Sequence, residues 1–147
     1  MGFFPPRPGF HFLFYHSQII PMEEKIKAYL QGLEAGDYQQ LISLFADEAV
    51  VHSPLYGKRS ARTFYRELLD DSSASRIRLL HIYHQPGGRR AAVNFIYEWA
   101  LANGSQVAFD CVDLFEWNEE EKITELKIIY DASQSRPALE QQHNQSP

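Results

Sequence analysis

The sequence predicts one α+β domain, because the spacing of its apolar residues changes halfway along the chain. From Met22 to about position 70 apolar residues recur every three or four positions, which is typical of helices that bury one face. From position 76 to position 130 they recur every second position, in strand-like runs that the sequences PGG, NG and NEEE separate. Helices followed by a meander of antiparallel strands are typical of α+β domains.

Three helices are predicted in the first half of the chain. The first begins at Met22, the second has Asp37 as its N-cap, and the third has Ser60 as its N-cap. Their apolar faces are, in chain order, Ile26, Tyr29, Leu30 and Leu33; Leu41, Leu44 and Phe45; and Phe64, Leu68 and Leu69. A short strand, 49–52, is predicted between the second and third helices.

The strongest turn signal in the second half is Asn103-Gly104, which favours a two-residue type I′ hairpin. Such a turn would pair position 102 with 105, and therefore position 97 with 110. Directly paired residues share one face of a sheet, so Asp110 is predicted to lie among aromatic side chains. The same face would carry Phe95, Tyr97, Trp99, Val112 and Leu114.

Both faces of the strand after this turn are largely apolar. The face opposite Asp110 carries Val107, Phe109, Cys111 and Phe115. Helices can cover only one of the two faces, and a second copy of the chain is the simplest cover for the other. The sequence therefore predicts a homodimer.

The composition argues against nucleic acids and membranes as partners. The chain has 147 residues and a net charge of -5, which does not favour binding to phosphate backbones or anionic lipids. No apolar run approaches the roughly 18 to 20 residues that span a bilayer. The single cysteine, Cys111, cannot form an intrachain disulfide, which favours a reducing, cytoplasmic location.

No metal site is predicted from the histidines. His81 and His84 are three positions apart on a predicted strand, so their side chains would point to opposite faces. No acidic residue or cysteine close in sequence completes a ligand set.

The ends of the chain are predicted to lie outside the domain. Residues 1–21 contain Pro5, Pro6 and Pro8 and make a poor secretory signal, so we interpret them as an extension and Met22 as a possible true start. The polar residues 134–147 show no periodicity and are predicted to be a disordered tail. The domain itself is assigned to residues 22–133.

Four stretches of the chain resemble a known superfamily: AYLQGLEAGDYQQLISLFADEAVVHSP, GKRSARTFYRELL, NGSQVAFDCVDLFEW and EKITELKIIYD. From Ile26 to Ala132 the sequence is similar to the nuclear transport factor 2-like superfamily, and within it to ketosteroid isomerase and the SnoaL-like polyketide cyclases. The resemblance implies a cone-shaped, strongly curved antiparallel sheet that three N-terminal helices close around an apolar pocket. It also implies a dimer.

The resemblance to ketosteroid isomerase implies an oxyanion hole made of a tyrosine and a protonated aspartic acid. These roles fall on Tyr29 and Asp110, and Tyr65 falls on a tyrosine that supports the first through a hydrogen bond. Phe45 occupies another position of that network without a hydroxyl. Further pocket-lining positions are Phe95, Tyr97, Trp99, Val112, Leu114 and Tyr130.

The sequence departs from the isomerase pattern at the proton-carrying aspartate, whose place before Pro54 is held by Ser53. A serine hydroxyl is not a base near neutral pH without help. His52 titrates in the right range, but neighbouring strand residues point to opposite faces. Catalysis would therefore depend on water, Ser53 or His52.

The resemblance implies that the domain binds a small hydrophobic, carbonyl-bearing ligand and moves a proton next to its carbonyl, as an isomerase or cyclase does, without a cofactor. Two alternatives stay open, namely a binding module without catalysis and a dimeric protein-interaction domain. Tyr29 could equally be a core tyrosine, and Asp110 a buried structural carboxyl.

Overall fold

The computed structural model describes residues 21–145. The predicted N-terminal extension, with the exception of Pro21, lies outside the described residues. Ten elements follow one another in the described part of the chain: α1 Met22–Ala35, α2 Tyr38–Ser43, β1 Phe45–Ser53, β2 Gly57–Ser60, α3 Ala61–Asp70, β3 Ser72–His84, β4 Arg90–Leu101, β5 Gln106–Trp117, β6 Ile123–Ile129 and α4 Ser135–Gln145.

The three predicted helices form, and the second and third begin at their predicted capping residues. The Asp37 side chain accepts a hydrogen bond from the Gln40 N–H of α2 at 3.1 Å, and the Ser60 hydroxyl accepts one from the Thr63 N–H of α3 at 3.2 Å. Each cap satisfies a backbone donor that has no partner within its helix. Helix α1 ends at Gly36, whose φ of 65° is the left-handed conformation that glycine adopts without strain.

The six strands form one open, mixed sheet in the order β2-β1-β6-β5-β4-β3. The prediction of a wholly antiparallel sheet is wrong at one place, because β1 and β6 run parallel. These strands are far apart in sequence, so a long crossover connects them, as parallel pairing requires. Strands β2 and β3 form the two edges.

The β4–β5 hairpin has a different loop from the predicted one. The Leu101 N–H donates to the Ser105 carbonyl at 2.8 Å, and the Gly104 N–H donates to the Leu101 carbonyl at 3.0 Å. Three residues, 102–104, therefore form the loop, and Gly104 has a φ of 93°. Tyr97 consequently pairs with Phe109, and Ile96 pairs with Asp110.

This one-residue difference in register reverses the faces of β5. Asp110 is exposed on the outer face and accepts a hydrogen bond from the Asn94 side chain. Leu114 is 39% exposed and Val112 is half-buried on that same outer face. The prediction that these three residues lie in the pocket is therefore wrong, and Cys111, Asp113 and Phe115 face inward instead.

The core lies between the inner face of the sheet and helices α1 and α3. Its largest fully buried side chains are aromatic: Tyr29, Tyr65, Phe95 and Phe115. Burying a side chain of this size contributes roughly 1.5 to 3 kcal/mol relative to leaving it exposed. The aromatic residues predicted along the helices and β4 therefore hold the two layers together.

The end of the chain forms a helix where a disordered tail was predicted. Helix α4 buries Ser135, Leu139 and Gln142, and Leu139 is 6% exposed. Three buried positions among polar residues produce too weak an apolar pattern to be recognised in the sequence. Four helices are thus present in the described part of the chain, three before the main strands and one after them.

None of the helices in residues 21–145 is long and apolar enough to cross a membrane.

Candidate active site

A cavity of about 40 Å³ lies between α1, α3 and the inner face of the sheet. Of its fifteen lining residues, eight are aromatic, and the four predicted ligand-binding residues Phe95, Tyr97, Trp99 and Tyr130 are among them. Apolar walls exclude water and strengthen the electrostatic effect of any polar group that they surround. The polar groups of this wall therefore determine its chemistry.

Tyr29 is the polar residue that α1 contributes to the cavity. Its hydroxyl oxygen lies 2.6 Å from that of Tyr65 on α3, and both residues are almost completely buried. Phe115 packs edge-on against the Tyr29 ring at 5.1 Å, and Phe45 does so at 6.3 Å. Burial raises the pKa of both tyrosines well above the ordinary value, so both hydroxyls keep their protons at neutral pH.

Asp113 is the acidic residue of the cavity, and it is only 1% exposed. Burial raises the pKa of this carboxyl to about 7, while hydrogen-bonding contacts with Cys111 and Tyr29 act in the opposite direction. The Cys111 thiol donates to the carboxylate Oδ1 at 3.3 Å. Near neutral pH the carboxyl is therefore present in both its acidic and its basic form.

Asp113 was not among the residues predicted for the site; Asp110, three positions earlier on the same strand, was predicted in its place. Two strand residues separated by an odd number of positions lie on opposite faces of the sheet. With the correct register, Asp113 and not Asp110 would have been predicted to face the cavity. Gly104 suits the left-handed last position of a three-residue hairpin loop, but it suits a two-residue type I′ turn equally well, so it does not decide the register.

Ser53 lines the cavity, but its hydroxyl has a structural role in the turn that follows β1. The Ser53 Oγ accepts hydrogen bonds from the backbone N–H groups of Leu55 at 3.1 Å and Tyr56 at 3.0 Å. An oxygen with two such bonds orients the turn around Pro54. This environment does not make the hydroxyl a base.

His52 does not line the cavity. Its Nε2 atom lies 2.9 Å from the Glu125 Oε1 atom on the neighbouring strand β6, and both side chains are substantially exposed. The alternation of strand residues thus separates His52 from its neighbour Ser53, as the sequence indicates. The geometry gives His52 no part in chemistry inside the cavity.

The remaining predicted ligand-binding residues surround the cavity at different depths. Tyr65 and Phe45 lie behind Tyr29, with a ring distance of 5.4 Å between them. Tyr97 stacks on Phe109 at 5.4 Å, and Phe109 stacks on Tyr130 at 4.0 Å. The β5 residue of this stack, Phe109, was assigned to the opposite face in the sequence analysis and lines the cavity instead.

Tyr56 is a further cavity residue that the sequence did not indicate. It follows the Ser53 turn, and its hydroxyl donates to the Asp71 Oδ2 atom at 2.7 Å. This bond connects the cavity wall to the turn between α3 and β3.

In residues 21–145, no three histidine, cysteine, aspartate or glutamate side chains lie close enough together to hold a metal ion. The polar side-chain groups of the residues that line the cavity are hydroxyls, the Trp99 indole N–H, one thiol and one carboxyl.

Solved structures with NTF2-like and cystatin-like folds resemble this one over about three quarters of the chain. An NTF2-like protein of unknown function from Exiguobacterium sp. 255-15 is 19% identical, with a TM-score of 0.63 over 74% of this chain and 99% of that chain. SalBIII, an epoxide hydrolase/cyclase-like enzyme with a role in pyran ring formation in the polyether salinomycin, is 20% identical. Its TM-score is 0.64, over 74% of this chain and 89% of that chain. TerC, co-crystallised with polyporic acid, is 19% identical, with a TM-score of 0.66 over 80% of this chain and 96% of that chain.

Likenesses at this level of identity establish the fold alone. Residues 26–126 match the SnoaL-like domain family, and this match covers more than half of the chain. The chain belongs to the SnoaL-like family. No curated protein matches it.

Proposed function

We propose that the cavity binds a small, largely apolar carbonyl compound and catalyses proton transfer at the carbon next to the carbonyl. The observation that carries this proposal is the pairing of Asp113 with Tyr29 in an aromatic wall. A carboxyl with a pKa of about 7 can both accept and return a proton at neutral pH. A neutral phenol beside it can donate a hydrogen bond to a developing enolate.

In the proposed step, the Asp113 carboxylate removes a proton from the carbon next to the ligand carbonyl. The C–H electron pair becomes the enolate, whose oxygen accepts a hydrogen bond from the Tyr29 hydroxyl. The Tyr65 hydroxyl lies 2.6 Å from the Tyr29 oxygen and in this step would donate to it, which supports the orientation. In an isomerisation, Asp113 then returns the proton to another carbon of the conjugated system. In a cyclisation, the enolate carbon attacks a second carbonyl carbon of the ligand, and the oxygen of that carbonyl takes the proton from Asp113.

The assignment of Asp113 as the proton carrier follows from the contents of the cavity. It is the one carboxylate among the described residues that line the cavity. The Ser53 hydroxyl accepts two backbone hydrogen bonds, and His52 lies outside the cavity. Asp113 would therefore carry the proton, and of the two oxyanion donors in the isomerase pattern only the tyrosine, Tyr29, would stabilise the enolate.

The activity can be tested with two ketones that report isomerisation by ultraviolet absorption, 3-cyclohexen-1-one and a β,γ-unsaturated 3-ketosteroid. We expect the wild-type protein to accelerate at least the smaller ketone, and Asp113→Asn to lose at least a hundredfold of that rate. The matched control is Asp110→Asn, the same substitution on the outer face, which should retain activity. Ser53→Ala should also retain activity in the folded fraction.

Loss of activity in Asp110→Asn, or full activity in Asp113→Asn, would contradict the assignment. A wild-type protein that binds these ketones without converting them would favour the binding module without catalysis. The observation that favours this second candidate function is Ser53, which stands in the place of the isomerase base and uses its hydroxyl oxygen to accept two backbone hydrogen bonds.

We also propose that the domain forms a homodimer through the outer face of its sheet. Tyr83, Leu114 and Ile129 are 60%, 39% and 44% exposed, and strand pairing places them on the same face. A cluster of apolar side chains on a sheet is typical of a protein interface. Light scattering should give the mass of two chains for the wild type and of one chain for Leu114→Asp; a monomeric wild type would contradict this proposal.

A further inference from the structure

Helix α4 does not itself line the cavity, but it connects two turns that lie beside the cavity wall. At its beginning, the Arg136 Nη2 atom donates to the Pro54 carbonyl at 2.6 Å. Near its end, the His143 Nε2 atom lies 2.9 Å from the Asp71 Oδ1 atom, and the Gln142 Nε2 atom donates to the Asp71 carbonyl at 3.1 Å. The helix thus spans from the turn after β1 to the turn after α3.

Both attachment points lie directly beside cavity-lining residues. Pro54 stands between Ser53 and Leu55, which line the cavity. Asp71 accepts a hydrogen bond from the hydroxyl of Tyr56, which also lines it. The first residue of α4, Ser135, makes a side-chain contact with the hydroxyl of the cavity residue Tyr130.

Helix α4 is attached less firmly than the other helices at the cavity. Its buried side chains are one leucine and two small or polar residues, whereas α1 and α3 bury several large apolar side chains each. Its remaining attachments are hydrogen bonds. Those of Arg136 and His143 come from exposed side chains, and the buried Gln142 donates to the Asp71 carbonyl and accepts from the Asn103 N–H. Elements with little buried apolar surface open at a lower free-energy cost than core elements.

The cavity volume makes some opening necessary. A volume of about 40 Å³ has room for roughly three water molecules, since each needs about 10 to 15 Å³ on this measure. A ring-containing ligand needs considerably more space. Moving α1 or α3 would expose Tyr29, Tyr65 and Phe64, whereas moving α4 would expose mainly Leu139.

We infer that α4 is the lid of the cavity, held closed by Arg136 on Pro54, by His143 and Gln142 on Asp71, and by the buried Leu139. Its opening admits ligands, and this part of the inference rests on the proposed function. The opening itself is a property of the free protein and can be measured without any ligand.

Cys111 provides the measurement, because it is the single cysteine of the chain, lines the cavity and is 2% exposed. Burial and the neighbouring Asp113 raise the pKa of its thiol, so it reacts with 5,5′-dithiobis(2-nitrobenzoate) only after the cavity opens. The rate of labelling of the native protein therefore reports opening. The variants to compare are Arg136→Ala, Leu139→Ala and the matched control Glu140→Ala, which changes an exposed residue of the same helix.

We expect Arg136→Ala to label roughly fivefold faster than wild type, because it loses one hydrogen bond from a charged group, and Leu139→Ala to label faster still. Glu140→Ala should label at the wild-type rate. Labelling should also be insensitive to low urea concentrations, because a local opening exposes little surface.

Two outcomes would contradict the inference that α4 is a lid. One is an equal labelling rate in Arg136→Ala and Glu140→Ala. The other is a labelling rate that follows global unfolding at all urea concentrations, which would mean that Cys111 becomes accessible only when the whole domain unfolds. Neither outcome depends on turnover, so a protein that is inactive on ketones could still show the lid.

Discussion

Replacing Asp113 with asparagine is expected to make the protein more stable relative to wild type as the pH rises from 5 to 8. The Asp113 carboxyl ionises near pH 3.8 in the unfolded chain and near pH 7 in the folded protein. Its contribution to stability is therefore fully present below about pH 4, is lost progressively up to about pH 7, and is constant above that. The asparagine side chain has nearly the same shape as the aspartate side chain and does not titrate.

The expected size of this effect follows from the shift. Each pH unit between the two pKa values changes the free energy of unfolding by about 1.4 kcal/mol. The difference between Asp113→Asn and wild type should thus grow by roughly 2 to 3 kcal/mol between pH 5 and pH 8. Urea unfolding at each pH measures it.

The matched control for this measurement is Asp110→Asn, which removes an exposed carboxyl from the same strand. Its stability difference from wild type should vary little over this pH range. A pH-independent difference for Asp113→Asn as well would show that Asp113 ionises in the folded protein at its ordinary pKa. The acid–base role proposed for it would then lose its basis.

Replacing Tyr29 with phenylalanine is expected to reduce kcat/KM for the isomerised ketone by a factor of roughly 100 to 1,000. The substitution keeps the ring that packs on Phe115 and removes the hydroxyl that would stabilise the enolate. Removing one donor to a developing oxyanion typically has an effect of this size. The measurement is the initial rate in the ultraviolet assay, corrected for the folded fraction.

Tyr65→Phe is the control for this experiment, because it removes the same 2.6 Å hydrogen bond from the other side. Both variants leave one buried hydroxyl without that partner, which costs roughly 1 to 3 kcal/mol of stability. Only Tyr29→Phe removes the group that would contact the ligand, so its activity should fall much further. Equal losses of activity would mean that the pair acts only through the structure.

Much of the candidate site was recognisable from local sequence signals. Helix α1 has its predicted buried face, and the spacing of that face brings Tyr29 to the core. Helix α3, which lies in one of the stretches that resemble the superfamily, brings Tyr65 within hydrogen-bonding distance of Tyr29. Helical periodicity identifies such residues well, because an error of one position at a helix end does not change which residues share a face.

Which acidic residue lies in the site depends on the register of β5, and the predicted register differs from the observed one by one residue. In a strand, a shift of one position exchanges the two faces, so the choice between a two-residue and a three-residue loop at Gly104 exchanged Asp110 for Asp113. Both loops suit an Asn-Gly sequence, and both strand faces are apolar. Neither the turn residues nor the alternation could therefore distinguish them.

Local signals in the amino-acid sequence were enough to predict the α+β class, the first three helices, the caps of the second and third helices, and the family of the domain. All of these follow from patterns within a few residues or from the order of such stretches. The parallel pairing of β1 with β6, the inward position of Asp113, the role of Ser53 in its turn and the docking of α4 became clear only from the folded chain. Each of these depends on contacts between residues far apart in the sequence, whose free energies outweigh the local preferences of the residues involved.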